Sequence, residues 1–172
     1  GTTYEKVSQL QPVFRPNGTV TAGNACPLND GAAAVIVMSD TKAKELGLTP
    51  LARIVATGVS GLSPEIMGLG PVEAVKKALG YAKMSISDID LFEINEAFAV
   101  QVLGSARDLG IDEDKLNVSG GAIALGHPFG MTGARITATL LNNLSTHDKT
   151  FGVETMCVGG GQGMAMVVER LS

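Results

Sequence analysis

Three features of the sequence predict one α/β domain, a mixed five-stranded sheet with helices on both faces. Apolar runs and helical patterns alternate as βαβαβα and then close with two strands, an order that implies a mixed sheet sandwiched by helices. The helix after His127 sets Ala134, Ala138 and Leu141 against Ile136, Leu140 and Leu144, so apolar groups wrap most of its surface and bury it on more than one side. No short repeat, low-complexity tract or linker interrupts the 172 residues, a length that suits a single domain over 1–172.

Residues 1–23 are polar and irregular, with a turn expected at Arg15-Pro16-Asn17-Gly18. Asp30-Gly31 leads into Ala32–Met38, a continuous apolar run that reads as a central buried strand. Ser39 or Asp40 caps a short helix that Gly47 ends. Ala52–Val59 is the second strand, followed by a Gly/Pro-rich loop from Ser60 to Gly70. Pro71 suits the first turn of a helix that turns Val72, Val75, Leu79 and Ala82 inward, with Glu73 and Lys77 as an outward pair. Leu91–Ile94 is a short strand, and a helix from Ala97 to about Leu109 carries no charge before Arg107. Asn117–Val118 leads to Ser119–Arg135, a stretch with five glycines and the histidine, and then to the buried helix ending near Asn143. Thr150–Val158 and Met164–Glu169 form an antiparallel pair joined by Gly159-Gly160-Gly161-Gln162-Gly163.

Composition narrows the function. Charged residues are 17% of the chain, below the usual ~25%, so part of the surface is expected to lie in an interface. A net charge of −4 without a basic cluster argues against nucleic acid. No run reaches the ~18 apolar residues of a membrane span and no signal peptide is evident, which makes the cytoplasm the expected location. Cys26 and Cys157 show no disulfide framework and are expected as reduced thiols. A first residue of glycine suggests an excised piece or a processed terminus.

Asn95, His127 and Cys157 fall where strands end and loops begin, the place where open α/β sheets gather ligands. Each has a plain alternative: Asn95 as a helix cap, His127 as a partner for backbone groups, Cys157 as an inert buried thiol. Three together favour a site. His127 lies between Gly126 and Pro128 in a stiff turn and can exchange a proton near neutral pH. Cys157 precedes Val158-Gly159-Gly160-Gly161, whose N–H groups would form an anion nest and ease ionisation of the thiol. Gly121 to Gly126 has phosphate-loop spacing, but His-Pro follows where Lys-Ser/Thr is required. Gly159–Gly163 sits between strands and lacks the dinucleotide spacing. A zinc site from His127, His147, Cys26 and Cys157 has no short ligand pair, and His147 reads as solvated surface. Neither a metal nor a cofactor is expected.

Asn95-Glu96-Ala97-Phe98, Gly126-His127-Pro128 and Cys157-Val158-Gly159 resemble three of the four fingerprints of the thiolases. The likeness extends through Thr21–Ala25, Asn29–Ala33 and Met67–Pro71, and covers nearly the whole chain in order. It implies a thiolase-type C-terminal domain that packs against a similar N-terminal domain of the same chain. It also implies a homodimer or homotetramer at full length, and a role in lipid and fatty acid metabolism. The implied reaction is ping-pong acyl transfer between 3-oxoacyl-CoA and CoA, or the reverse Claisen condensation, with coenzyme A as a substrate.

The family's nucleophile belongs to a Cys-x-Ser motif, which this chain lacks: Cys26 is followed by Pro27-Leu28. The isolated chain is therefore expected to be inactive. By the same resemblance, His127 is the base for that nucleophile and, with a water held by Asn95, a donor to the thioester oxygen. Cys157 is the acid/base at the acetyl α-carbon, and the Gly159 N–H belongs to a second oxyanion hole. Glu96 supports the site from behind, and Phe14, Ala22, Cys26, Leu28 and Phe98 line the pantetheine and acyl path, or else pack the core. Met131-Thr132 replaces the Ala-Ser of many relatives. A non-catalytic thiolase-like domain for acyl-CoA binding or assembly is the alternative. Interior-type helices and low charge predict that the isolated chain self-associates; light scattering should give a mass above one copy, and a clean monomer would count against it.

Overall fold

A computed structural model describes all 172 residues, Gly1–Ser172. The helices are α1 (Tyr4–Val7), α2 (Asp40–Glu45), α3 (Gly70–Ala82), α4 (Ala99–Leu109), α5 (Ala122–Leu125) and α6 (Thr132–Thr146). The strands are β1 (Ala52–Gly61), β2 (Leu91–Ile94), β3 (Phe151–Val158) and β4 (Gln162–Arg170). They form one sheet in the order β1-β4-β3-β2, with β1/β4 and β4/β3 antiparallel and β3/β2 parallel. The mixed sheet is as expected, but it has four strands instead of five.

The missing strand is Ala32–Met38. This run has no strand partner, and Ile36 and Val37 are 86% and 71% exposed. An apolar run becomes a central strand only when neighbours pair its backbone and cover both faces. None of the four strands does so. Ser39 caps α2 as expected, its hydroxyl accepting from Lys42 N at 3.1 Å.

Helices cover both faces. α3 lies on β1 and β4, with α4 packed against α3 and the short 3-10 segment Pro64–Leu69. Val72, Val75, Phe92, Ile94, Val102 and Val167 meet there in the main core. α6 covers β2 and β3 on the other face, where Leu140 and Leu144 meet Leu91 and Val168. β2 alternates between the two cores: Leu91 and Glu93 face α6, Phe92 and Ile94 face α3. α6 is not interior all round. Its buried residues are Thr132, Ile136, Leu140, Asn143 and Leu144, a stripe at helical spacing, because only the sheet packs on it. Glu73 pairs with Lys76 at 2.7 Å, whereas Lys77, its expected partner, reaches across to donate to the Val59 carbonyl at 3.0 Å.

The helix over β1 sits unusually low. A Cβ on Gly58 would stand 2.2 Å from the Ala74 carbonyl oxygen and 2.7 Å from Ala78 N. Those are backbone atoms of α3 that cannot swing aside. Gly58→Ala should therefore lift α3 and cost about 3 kcal/mol in urea unfolding. Gly80→Ala, an exposed site on the same helix with nothing within 4 Å, should stabilise by roughly 0.5–1 kcal/mol. Equal effects at the two sites would refute the close approach.

Candidate active site

Because β2 and β3 run parallel, their C-terminal ends open on the same side of the sheet. Asn95 follows β2 directly, and its N–H donates to the Thr155 carbonyl of β3 at 2.9 Å, two residues before Cys157. Asn95 is wholly buried and caps no helix, since α4 begins at Ala99 with Phe98 as its cap. Its Oδ1 accepts from Arg135 at 3.5 Å, while its Nδ2 has no partner. Buried amide donors are almost always paired, which makes this N–H pair an exception in the core.

Outside β2, Asn117 completes the edge. It adopts φ +45°, its Oδ1 accepts from Ile94 N at 2.8 Å and its Nδ2 donates to the Ile94 carbonyl at 2.9 Å. The same Nδ2 reaches Glu96 Oε1 at 3.0 Å, and Glu96 Oε2 accepts from Ile123 N at 3.1 Å. Glu96 thus ties the strand end to α5 and the turn carrying His127. Gly121 makes room for it, because a Cβ there would lie 2.5 Å from the Glu96 carboxyl carbon. Asn29 holds the turn from the other side through a 3.3 Å bond to the Leu125 carbonyl.

His127 is fixed by Thr132, which the sequence marked only as a departure from the family pattern. Its Nδ1 lies 2.7 Å from Thr132 Oγ1, and that hydroxyl donates to the Pro128 carbonyl at 2.9 Å. The single hydroxyl hydrogen is thereby used, so the neutral imidazole carries its proton on Nδ1 and keeps the Nε2 lone pair free. Burial, and then the Arg135 charge, hold the His127 pKa below its usual range. A neutral, oriented imidazole is what a general base requires. Phe129 stands edge-on to the ring at a centroid distance of 5.0 Å.

Cys157 is buried, and burial pushes its thiol pKa up, with the nearby Cys26 adding to the rise. The expectation of easier ionisation is therefore reversed: desolvation outweighs the glycine turn that follows, where Gly159 is exposed and Gly160 and Gly161 have positive φ. The N-terminal segment crosses this same end of the sheet. Cys26 N donates to the Ala97 carbonyl at 3.0 Å, Ala25 bridges Phe98, and the Phe14 and Phe98 rings meet edge-on at 5.9 Å. Cys26 thus lies near Cys157 and Phe14 packs on Phe98, but Phe14 is itself 70% exposed, as are Ala22 and, at 99%, Leu28.

Beneath the site lies a buried ionic group. Arg135 Nη1 donates to Glu93 Oε1 at 3.0 Å, and the Glu93 side chain is nearly inaccessible. Glu154, opposite Glu93 in the β2/β3 register, is half-buried, with its Oε2 inaccessible. A signal for these was present in the sequence: each is a lone charge inside an otherwise apolar element.

Residues 48–170 match the family model described as "Thiolase, C-terminal domain", and residues 1–41 match "Thiolase, N-terminal domain". The chain is 55% identical over 170 residues to an acetyl-CoA acetyltransferase of Escherichia coli, covering 99% of this chain and 43% of that protein. It is 58% identical over 174 residues to a 3-ketoacyl-CoA thiolase of Aeromonas hydrophila, covering 99% and 45%. The crystal structure of the Bacillus anthracis acetyl-CoA acetyltransferase superposes with a TM-score of 0.96 at 51% identity, over 98% of this chain and 43% of that one. Human mitochondrial 3-ketoacyl-CoA thiolase in complex with CoA superposes with a TM-score of 0.93 at 49% identity, over 99% and 43%. The chain spans less than half the length of these relatives. The chain belongs to the thiolase family.

Proposed function

We propose that this chain supplies the C-terminal catalytic half of a thiolase that transfers acyl groups between 3-oxoacyl-CoA and CoA. The observation that carries the reading is His127, held by Thr132 with Nε2 free, at the same end of the sheet as Asn95 and Cys157. The other half brings the nucleophilic cysteine. His127 Nε2 removes its thiol proton, and the thiolate adds to the 3-oxo carbonyl. The C–C bond then breaks, leaving an acyl-enzyme thioester and the enolate of acetyl-CoA.

Cys157 gives its proton to the enolate carbon, releasing acetyl-CoA, and its thiolate then takes the proton of the incoming CoA thiol. The raised thiol pKa serves the first of these steps, because the group must arrive protonated. The unpaired Asn95 Nδ2 holds a water that, with protonated His127, donates to the thioester oxygen. The Gly159 N–H stabilises the tetrahedral oxyanion of the acyl-enzyme step. Phe14, Cys26 and Phe98 form a wall for the pantetheine and acyl chain, with Ala22 and Leu28 completing it from the N-terminal segment. The exposed run Ala32–Met38, inside the stretch matching the N-terminal domain model, joins the sheet of that domain. No helix is long and apolar enough to cross a membrane, and we place the assembled enzyme, a homodimer or homotetramer, in the cytoplasm.

In the full-length enzyme, His127→Gln and Cys157→Ala should each lower kcat by roughly 10²–10⁴ with acetoacetyl-CoA, read as loss of thioester. Losses below tenfold would remove these residues from the chemistry. The kcat/KM profile of the unaltered enzyme should be bell-shaped. Its acid limb should fall below 6.5, because His127 resists protonation, and its alkaline limb above 9, because Cys157 resists ionisation. An acid limb above 6.5 would contradict the neutral-base assignment.

A further inference from the structure

We propose that Glu93 and Glu154 share one proton beneath the catalytic turn, and that this proton keeps Arg135 bridged between Glu93 and Asn95. The two carboxyls are register partners on adjacent parallel strands, so both leave the sheet on the α6 face. There they meet a single cation. Arg135 is 11% exposed at its side chain, bonds Glu93 at 3.0 Å and Asn95 Oδ1 at 3.5 Å, and leaves Nε without a partner. Glu154 has no hydrogen bond from Arg135, and its Oε2 is buried with no partner at all.

Two ionised carboxylates over one guanidinium would leave a net buried negative charge, which costs several kcal/mol even after relaxation. One proton removes it. The geometry places that proton on Glu154, since Glu93 already holds the guanidinium. Thr137 lies beside Glu154, and its hydroxyl also reaches the Gly133 carbonyl at 2.8 Å. Thr137 favours the Glu154 carboxylate, and burial outweighs it.

The other charged groups around the pair act in the same direction or are remote from it. Glu96, on the loop after β2, adds negative charge and favours keeping the proton. His127, on the turn above, is held neutral by burial and by Arg135. β4 presents Met166 opposite Glu154 and contributes no charge. Burial pushes both carboxyls up to about 7, so the shared proton is held at mildly acid pH and lost as pH rises through neutrality. Once it is lost, Glu154 competes for Arg135 and draws it from Asn95. The Glu93–Glu154 pair therefore positions Asn95 through Arg135. The consequence for catalysis rests on the proposed function; the proton sharing does not, and its test uses no activity.

The test is infrared and NMR spectroscopy on this chain with ¹³C-labelled glutamate side chains, from pH 5 to 9. At pH 6 the unaltered chain should show one protonated carboxyl, absent by pH 8, with the Asn95 side-chain amide resonance shifting in step. Glu154→Gln should abolish the carboxyl signal and flatten the Asn95 titration. Glu93→Gln should abolish the signal too, because Glu154 then has Arg135 to itself and ionises. A signal that persists in Glu93→Gln means an independent acid at Glu154 and overturns the sharing. A signal that persists in Glu154→Gln places the proton on Glu93 alone, with the same result. Should a variant fail to fold, the unaltered chain still decides: no protonated carboxyl at pH 6, or an Asn95 resonance indifferent to it, rejects the proposal.

Discussion

The site depends on one pairing, the parallel register of β2 with β3 inside a sheet that is otherwise antiparallel. Antiparallel neighbours send their chain ends to opposite edges, whereas parallel neighbours deliver both C-terminal ends to one place. Leu91 opposite Gly152 and Ile94 opposite Thr155 fix that register, and Asn95 and Cys157 emerge together as a result. Gly152 is part of the same fit, since a Cβ there would lie 2.9 Å from the Leu140 methyls of α6. That helix in turn begins at Thr132, which sets the tautomer of His127, and carries Arg135, which reaches Glu93 and Asn95. One face of one helix therefore seats the sheet, orients the base and supports the amide.

Much of this was legible in the residues. Leu91–Ile94 ended where its apolar run ended, and the polar residue after it proved to be buried at a strand end. A four-residue run with three apolar side chains, flanked by polar groups, has few other ways to fold. The glycine-rich passage before His127 gave the turn but not α5, because Ala122–Leu125 is a single helical turn held by Glu96 from outside it. Such tertiary bonds leave no periodic trace. The Thr132 contact is equally local and equally hidden, since it depends on how tightly the chain turns at Pro128.

Two expectations failed for one shared reason: burial depends on what else is present. Ala32–Met38 has the composition of a central strand, yet composition cannot say which sheet will receive it, and none of the four strands here does. Cys157 precedes a glycine nest that would lower a thiol pKa in the open, but it lies deep enough for desolvation to win. Glu93, Glu154 and Arg135 show the converse. Single charges in apolar elements imply partners, and the sheet register brings them together.

The central claim is that this chain holds half of a divided catalytic set. The most direct measurement mixes the chain with a separately folded N-terminal thiolase half bearing Cys-x-Ser, and follows cleavage of acetoacetyl-CoA by CoA. Thiolysis by the mixture, absent from either half alone and abolished by Cys157→Ala, is the predicted result. Thiolysis by this chain alone, or a stable complex of the two halves that leaves the substrate intact, would contradict it.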